Sequence, residues 1–169
     1  TAQIMQLEHQ AEILLKRDMF QDSFGKLPKK ILSKAKQLAY KYECYELIPE
    51  IIRLQRIWVT DSKASELLME EVIHNGDIII RINDLRNLKV KTESHFTVFG
   101  FIGHKEQHRI FFERAIKAAQ APFNKLNNPR GTTIELFLCY HIHGMYLATQ
   151  QEYAKGYQVS KKAVSLLES

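Results

Sequence analysis

The fold class is decided by residues 26–42, KLPKKILSKAKQLAYKY. At about 100° per residue of an α-helix, seven apolar or aromatic side chains fall within one arc of about 140°, and six lysines fall on the opposite side. The apolar set is Leu27, Ile31, Leu32, Ala35, Leu38, Ala39 and Tyr42, and the lysines are Lys26, Lys29, Lys30, Lys34, Lys36 and Lys41. Such a stripe is typical of a helix that buries one face against its neighbours.

A second helix follows after a short connector at residues 43–46. Pro49 is tolerated in the first turn of a helix, where a missing N–H costs little, and the apolar face continues through Ile51 and Ile52. Two helices joined by so short a link must lie antiparallel, so the sequence predicts a helical hairpin. Helical periodicity recurs over residues 3–20, 106–121, 132–151 and 153–167. We therefore predict an all-α chain of stacked antiparallel helical hairpins, forming one domain over residues 1–169.

Residues 76–92 admit two interpretations. An Asn-Gly-Asp turn signal at 75–77 favours the end of a helix, with the residues after it forming a β-hairpin. The same segment carries a helical stripe with spacings of 4, 3 and 3 residues, formed by Ile78, Ile82, Leu85 and Leu88. We favour one long helix over about 63–99, capped by Asp61 or Ser62, because a single internal glycine costs only about 1 kcal/mol.

Proline and threonine set the limits of the later helices. Pro122 is predicted to end the helix that begins at Glu106, because proline lacks the N–H that a helix interior requires. Thr132 or Thr133 is predicted to cap the next helix. The inner face of the helix over 106–121 is expected to consist of Ile110, Phe111, Ala115 and Ala118.

Composition narrows the class of protein. Hydrophobic residues make up 45% and charged residues 25% of the 169 residues, as in ordinary globular proteins. No apolar run approaches the roughly 18 to 20 residues that cross a bilayer. Cys44 and Cys139 have no CxxC spacing, which excludes a disulfide framework and favours a reducing compartment, so we expect a cytoplasmic protein. The sequence begins at Thr1 without a methionine, and we expect it to be part of a longer chain.

The last third of the chain carries a repeat-like spacing. It resembles the tetratricopeptide pattern W-x2-L-G-x2-Y … A-x3-F through Tyr140-x2-His143-Gly144-x2-Leu147 … Gly156-x3-Ser160-x2-Ala163. Gly144 and Ala163 match outright, whereas three of the seven positions depart from the pattern. The small residues at 144, 156 and 163 are expected to let paired helices approach closely. The match covers residues 137–169, and the hairpin at 27–60 resembles the family in shape only.

Resemblance to the tetratricopeptide family implies a groove that holds an extended or helical peptide. In that family the groove is lined by alternate turns of each repeat's first helix, which here places His141, Met145 and Thr149 in it. These residues lack the Lys and Asn clamp that grips a terminal carboxylate in the chaperone-binding members. The rest of the chain resembles, in general character, the helical sensor-type segments of bacterial repeat proteins. The implied function is a protein–protein interaction scaffold with a protein or peptide partner.

The lysine face of residues 26–41 supports an alternative function. It carries six positive charges and no negative one, and the net charge of the chain is +5. A solvated helix face is the simpler interpretation, and contact with phosphates or an acidic protein is the functional one. Candidate partner-binding residues on this face are Lys30, Lys34 and Lys41. No helix-turn-helix or RNA-binding signature is present, so nucleic-acid binding stands second to protein binding.

No catalytic or cofactor site is predicted. His104 and His108 share a helix face at i, i+4, a spacing compatible with a shared metal ion, and Cys139 and His143 have the same relation. No Asp or Glu stands at ligand spacing beside His141 and His143, and no HExxH motif is present. We therefore expect no metal, no cofactor and no enzymatic activity.

Overall fold

The computed structural model describes residues 1–18, 26–57, 59–99, 106–125 and 131–168. These residues form seven α-helices and one short 3₁₀ turn, and they contain no β-strand, so the all-α prediction is confirmed. The elements are α1 Ala2–Asp18, α2 Lys26–Lys41, the 3₁₀ turn Tyr45–Leu47, α3 Ile48–Arg56, α4 Ser62–Phe99, α5 Glu106–Lys125, α6 Thr133–Thr149 and α7 Tyr153–Glu168. Contacts divide the chain into two compact units, Thr1–Ile79 and Ile80–Ser169.

Helix α4 runs without interruption through residues 76–92. The long-helix prediction is therefore confirmed, and the β-hairpin is excluded. Asp61 caps this helix, because its Oδ2 accepts a 2.8 Å hydrogen bond from the Ala64 N–H. Gly76 lies in open surroundings, since a Cβ built on it would meet no atom within 4 Å. The glycine thus weakens the helix by its low propensity alone.

The first unit has its core among α1, α2 and α3. Helix α1 packs on α2, and α2 packs on α3, the pair predicted as a hairpin. Its most buried apolar side chains, each at most 2% exposed, are Ile4, Ala11, Leu32, Ala35, Ala39, Ile48, Ile51, Ile52 and Leu54. The apolar face predicted for α2 is right in the middle and wrong at the ends, where Leu27 and Tyr42 are each 58% exposed. Leu27 lies in the first turn and Tyr42 beyond the last helical residue, so neither stands over the packed turns.

Helices α2 and α6 end in the same way. Past each helix one residue has a left-handed backbone, Glu43 with a φ of 51° and Gln151 with a φ of 60°. The next N–H closes the helix end by donating to a carbonyl five residues back, at 2.8 Å from Cys44 to Ala39 and at 2.9 Å from Glu152 to Leu147. This is the Schellman motif, which usually places glycine at the left-handed position.

The second unit contains a closely packed pair of helices, α6 and α7. Gly156 and Ala163 of α7 are buried against this contact. A Cβ built on Gly144 would lie 3.3 Å from Ser160 Oγ, and one built on Gly156 would lie 3.7 Å from the Gly144 carbonyl oxygen. The close approach expected from small residues at 144, 156 and 163 is confirmed.

Helix α5 departs from the sequence prediction in two respects. Its buried residues are Phe112, Ala115 and Ala119, so the predicted face of Ile110, Phe111, Ala115 and Ala118 is displaced by about one residue. Adjacent phenylalanines at 111 and 112 satisfy either register, and only the neighbouring helices decide between them. The helix also continues through Pro122 to Lys125, so the predicted end is wrong. Proline removes one backbone hydrogen bond, but its fixed φ is compatible with helix.

Helix α6 begins with a capping box. Thr132 Oγ1 accepts a 3.2 Å hydrogen bond from the Glu135 N–H, and Glu135 Oε2 accepts a 2.8 Å hydrogen bond from the Thr132 N–H. Thr132 is thus the cap, one of the two predicted. Glu135 is only 1% exposed, and its other oxygen receives a 2.7 Å hydrogen bond from Arg81 Nε of α4. The cap therefore also ties α6 to the second half of α4.

Within the described ranges, none of the helices is both long enough and apolar enough to cross a membrane.

Candidate functional site

A groove of about 440 Å³ opens in the first unit between α2, α3 and the start of α4. Its lining residues are Lys29 and Ser33 of α2, Gln55 of α3, Val59 of the connection, and Ala64, Leu67, Leu68 and Glu71 of α4. Val59 and the three apolar residues of α4 supply apolar surface, and the two charged residues stand on α2 and α4. This composition, apolar with a few polar groups, is typical of binding sites.

Helix α4 presents its side of the groove through a regular spacing. Ala64, Leu67, Leu68 and Glu71 stand at i, i+3, i+4 and i+7, which places them on one face of the helix. Leu67 remains 59% exposed although it borders this groove. A large apolar side chain that is exposed beside further apolar surface is a typical feature of a protein-binding site.

A hydrogen-bonded network fixes the Glu71 carboxylate at the groove wall. The Tyr40 hydroxyl donates to Glu71 Oε1 at 2.7 Å, and Lys36 Nζ donates to Oε2 at 2.9 Å. Asn75, which is fully buried, donates through Nδ2 to the Tyr40 hydroxyl at 2.8 Å and to the Glu71 carbonyl at 2.7 Å. Partial burial, together with the hydrogen bond to Glu71, raises the pKa of Tyr40 to about 12, although the hydrogen bond from Asn75 opposes this.

Two amide oxygens near this region have no hydrogen-bond donor within the described part of the chain. They are Gln55 Oε1, on a side chain that lines the groove, and Asn75 Oδ1, in the network behind it. A buried oxygen without a donor carries a desolvation penalty of about 1–3 kcal/mol. These oxygens are local weaknesses of the first unit, and neither was foreseen from the sequence.

The α2 side of the groove is basic. Helix α2 contains no acidic residue, and Lys29, Lys30, Lys34 and Lys41 are exposed. Lys30, Lys34 and Lys41 lie within about 40° of one another around the helix, at about 100° per residue. They form one stripe beside the face that lines the groove. Lys36 differs from them, because it is half-buried and ion-paired with Glu71.

The three residues that the tetratricopeptide resemblance placed in a groove contact protein atoms of the second unit. His141 Nε2 lies 3.1 Å from Glu93 Oε1 of α4, and Thr92 Oγ1 lies 3.9 Å from Met145 Sδ. Thr149 is 6% exposed, and its hydroxyl donates to the Tyr146 carbonyl at 2.6 Å. The pKa of Glu93 is lowered, chiefly by its hydrogen bond from Lys89 and further by His141. The role of His141, Met145 and Thr149 in partner binding stays a prediction.

The two residue pairs whose spacing is compatible with a metal ion, His104 with His108 and Cys139 with His143, are not shown as ligand pairs. Cys139 donates its thiol to the Ala119 carbonyl at 3.2 Å, and burial, with the nearby Glu135 charge, raises its pKa to about 12. A thiol so rarely ionised is a poor metal ligand. His104 lies outside the described residues, and His108 is paired with His95 instead. Among the residues that the structure describes, no group of three or more His, Cys, Asp or Glu is placed to hold a metal ion.

The sequence pattern indicated the apolar character of Leu67 and Leu68 but not their exposure. Both are leucines on one face of α4, and apolar residues at helical spacing normally predict burial. The feature of the sequence that could have indicated their exposure was Glu71, the last residue of the i, i+3, i+4, i+7 series and a charged residue on the same face as the two leucines. It indicates that this part of the face reaches solvent.

Comparison of the chain with protein-family models, with curated proteins and with solved structures gave no match.

Proposed function

We propose that this chain is a protein–protein interaction module that binds a segment of a protein partner in the groove between α2, α3 and α4. The observation that carries the proposal is the exposed Leu67, which stands at 59% exposure beside the apolar lining of that groove. Fully burying a leucine contributes about 1.5–3 kcal/mol, and roughly half of that is still available at Leu67. The architecture of packed helical hairpins and the tetratricopeptide-like spacing over 137–169 are consistent with a scaffold of this kind.

The partner segment carries carboxylates beside its apolar residues. Lys29 of the groove lining and the stripe of Lys30, Lys34 and Lys41 give the α2 side an uninterrupted positive charge. An acidic side chain that approaches α2 meets this charge, while an apolar side chain of the same segment enters beside Leu67. Exposed ion pairs each contribute only about 0–1 kcal/mol. The apolar contact therefore determines most of the affinity, and the lysines determine the orientation and the association rate.

The test is affinity capture from native lysate with the wild-type chain, with Leu67→Glu and with Val164→Glu. Val164 is a matched control, because it is an exposed apolar residue, at 52%, on α7 of the other unit. We expect a protein that is retained by the wild-type chain and by Val164→Glu, that resists nuclease, and that is lost with Leu67→Glu. A protein retained equally by both variants would contradict the groove as its binding site.

Nucleic-acid binding through Lys30, Lys34 and Lys41 is the second candidate. It is favoured by one observation, the exposed lysine stripe on a helix that has no acidic residue. Three phosphate contacts give a slope of about −3 in a plot of log K against log salt. Loss of all captured material on nuclease treatment, together with that slope for a synthetic oligonucleotide, would favour this function over the groove.

A further inference from the structure

Two histidines of the second unit meet across a helix–helix contact. His95 of α4 and His108 of α5 bring Nε2 and Nδ1 to 2.8 Å from each other. The His95 ring is held in place by Phe111, on which it stacks at a centroid distance of 4.0 Å, and by an edge contact with Phe112 at 5.6 Å. The two imidazoles are therefore set by the packing of α4 and α5 rather than by the freedom of surface side chains.

The pair is reachable from solvent. His95 borders an open cleft of about 390 Å³, whose other lining residues are Val90, Lys91, Ser94, Val98 and Phe111. Both histidines are half-buried. The cleft therefore reaches the His95 side of the pair.

We propose that His95 Nε2 and His108 Nδ1 together bind a divalent transition-metal ion of the Cu²⁺ or Ni²⁺ type. Imidazole nitrogens lie about 2.0–2.1 Å from such ions, so two ligands at a right angle are about 2.9 Å apart, and two at a tetrahedral angle are about 3.3 Å apart. The 2.8 Å separation of the two nitrogens fits the right angle. Right angles are typical of square-planar and octahedral sites, whereas zinc favours the tetrahedral arrangement.

Binding of the ion leaves the number of protons on the two imidazole rings unchanged. In the hydrogen-bonded pair one ring donates its N–H and the other accepts it. When both nitrogens bind the ion, the donating ring carries its proton on its other nitrogen, and both rings stay neutral. Among the residues that the structure describes, the site offers these two imidazole ligands, and water can complete the coordination.

The experiment is a titration of the full chain with Cu²⁺ at pH 7.5, followed by calorimetry and by electron paramagnetic resonance. We expect one ion per chain at the tightest site and a spectrum with hyperfine coupling to two imidazole nitrogens. His95→Gln and His108→Gln should each weaken this site more than about tenfold, since even loss of an outer-shell partner costs about 10–100-fold. His143→Gln, a matched change in the same unit, should leave it unchanged. Ni²⁺ should bind more tightly than Zn²⁺.

Equal affinity in the wild type, His95→Gln and His108→Gln would overturn the proposal, and so would an affinity that falls equally in His143→Gln. Either result means an adventitious ion only, and the histidine pair is then a hydrogen bond between helices and nothing more. Circular dichroism checks the fold of each variant. If His95→Gln does not fold, the melting temperature of the wild type with Ni²⁺ decides, because an ion bound only by the folded state raises it by several degrees. No rise would also overturn the proposal.

Discussion

The Tyr40 hydroxyl donates a 2.7 Å hydrogen bond to Glu71 Oε1, which joins α2 to α4 across 31 residues of sequence. The same carboxylate accepts the Lys36 ammonium at 2.9 Å, so one acidic group receives a donor from each of two turns of α2. Because Glu71 also lines the groove, the network that holds the two helices together sets the position of the groove's acidic wall. Glu71 therefore both joins α2 to α4 and lines the groove in which we propose that the partner binds.

Alkaline pH should loosen this contact. The pKa of Tyr40 is raised from 10.0 to about 12, so the folded state favours the neutral phenol. A raised pKa contributes stability that is fully present below pH 10 and is lost as the pH rises through about 12. We expect the free energy of unfolding to fall less steeply in Tyr40→Phe than in the wild type over this range. Absorbance at 295 nm should show a late-ionising tyrosine that Tyr40→Phe lacks and that Tyr42→Phe, a change at an exposed tyrosine, retains. An unchanged titration curve in Tyr40→Phe would contradict the assignment.

Glycine 144 should tolerate alanine but not valine. Its Cβ would stand 3.3 Å from Ser160 Oγ, so valine overpacks the α6–α7 contact and should lower the unfolding free energy by about 1–3 kcal/mol. Alanine should be near neutral, because its helix propensity offsets the contact by about 1 kcal/mol.

Two control variants accompany this prediction. Gly76→Ala, where a Cβ meets no atom within 4 Å, should stabilise by up to about 1 kcal/mol. Adding Ser160→Ala should restore part of what Gly144→Val loses. A melting temperature for Gly144→Val equal to that of the wild type would mean that this close approach is wrong.

The helix ends offer a route to higher stability. Gln151 has a φ of 60°, a conformation that glycine adopts without the steric cost a Cβ incurs. We expect Gln151→Gly to raise the free energy of unfolding by about 0.5–1 kcal/mol, and Glu43→Gly to act in the same way at the end of α2. The matched control is Gln150→Gly, at a φ of −85°, where glycine should destabilise. Chemical denaturation measures all three. A loss of stability in Gln151→Gly similar to that in Gln150→Gly would refute the Schellman geometry.

The two thiols should react at different rates. The pKa of Cys139 is raised to about 12, which leaves almost no thiolate at pH 8. The Cys44 thiol is half-buried, donates a 3.5 Å bond to the Tyr42 carbonyl and lies 3.9 Å from Thr1 Oγ1. We expect native Cys44→Ala to resist a thiol-specific chromogenic reagent until it is unfolded, whereas Cys139→Ala should react in the native state. Rapid labelling of native Cys44→Ala would show that the Cys139 site opens.

The helices were predictable because their signals are local. The stripe of Ile78, Ile82 and Leu85 outweighed the turn signal at 75–77, and all three residues are buried. Residue type alone narrowed each cap to two candidates, and the structure selects Asp61 over Ser62 and Thr132 over Thr133. The register of α5 was not predictable, because Phe111 and Phe112 both suit a core and only contacts from other helices choose between them.

The candidate site was harder to predict than the fold. Leu67 is a residue type that usually lies in a core. Its exposure depends on where α2 and α3 end relative to the first turns of α4, and this relation between distant parts of the sequence cannot be predicted from a local pattern. The same holds for His95 and His108, which are 13 residues apart and meet only through the packing of two helices. The exposure of Lys30, Lys34 and Lys41 was predictable, because a helix with a continuous apolar face leaves its opposite face in solvent.

The most direct test of the groove is the affinity of the captured partner for the wild-type chain and for Leu67→Glu, measured by calorimetry with Val164→Glu as control. A buried anchor residue contributes about 2 kcal/mol or more to binding, so we expect Leu67→Glu to weaken the complex about 30-fold and Val164→Glu to leave it unchanged. Equal affinities for the wild type and Leu67→Glu would show that the partner binds elsewhere and would contradict the function proposed for this protein.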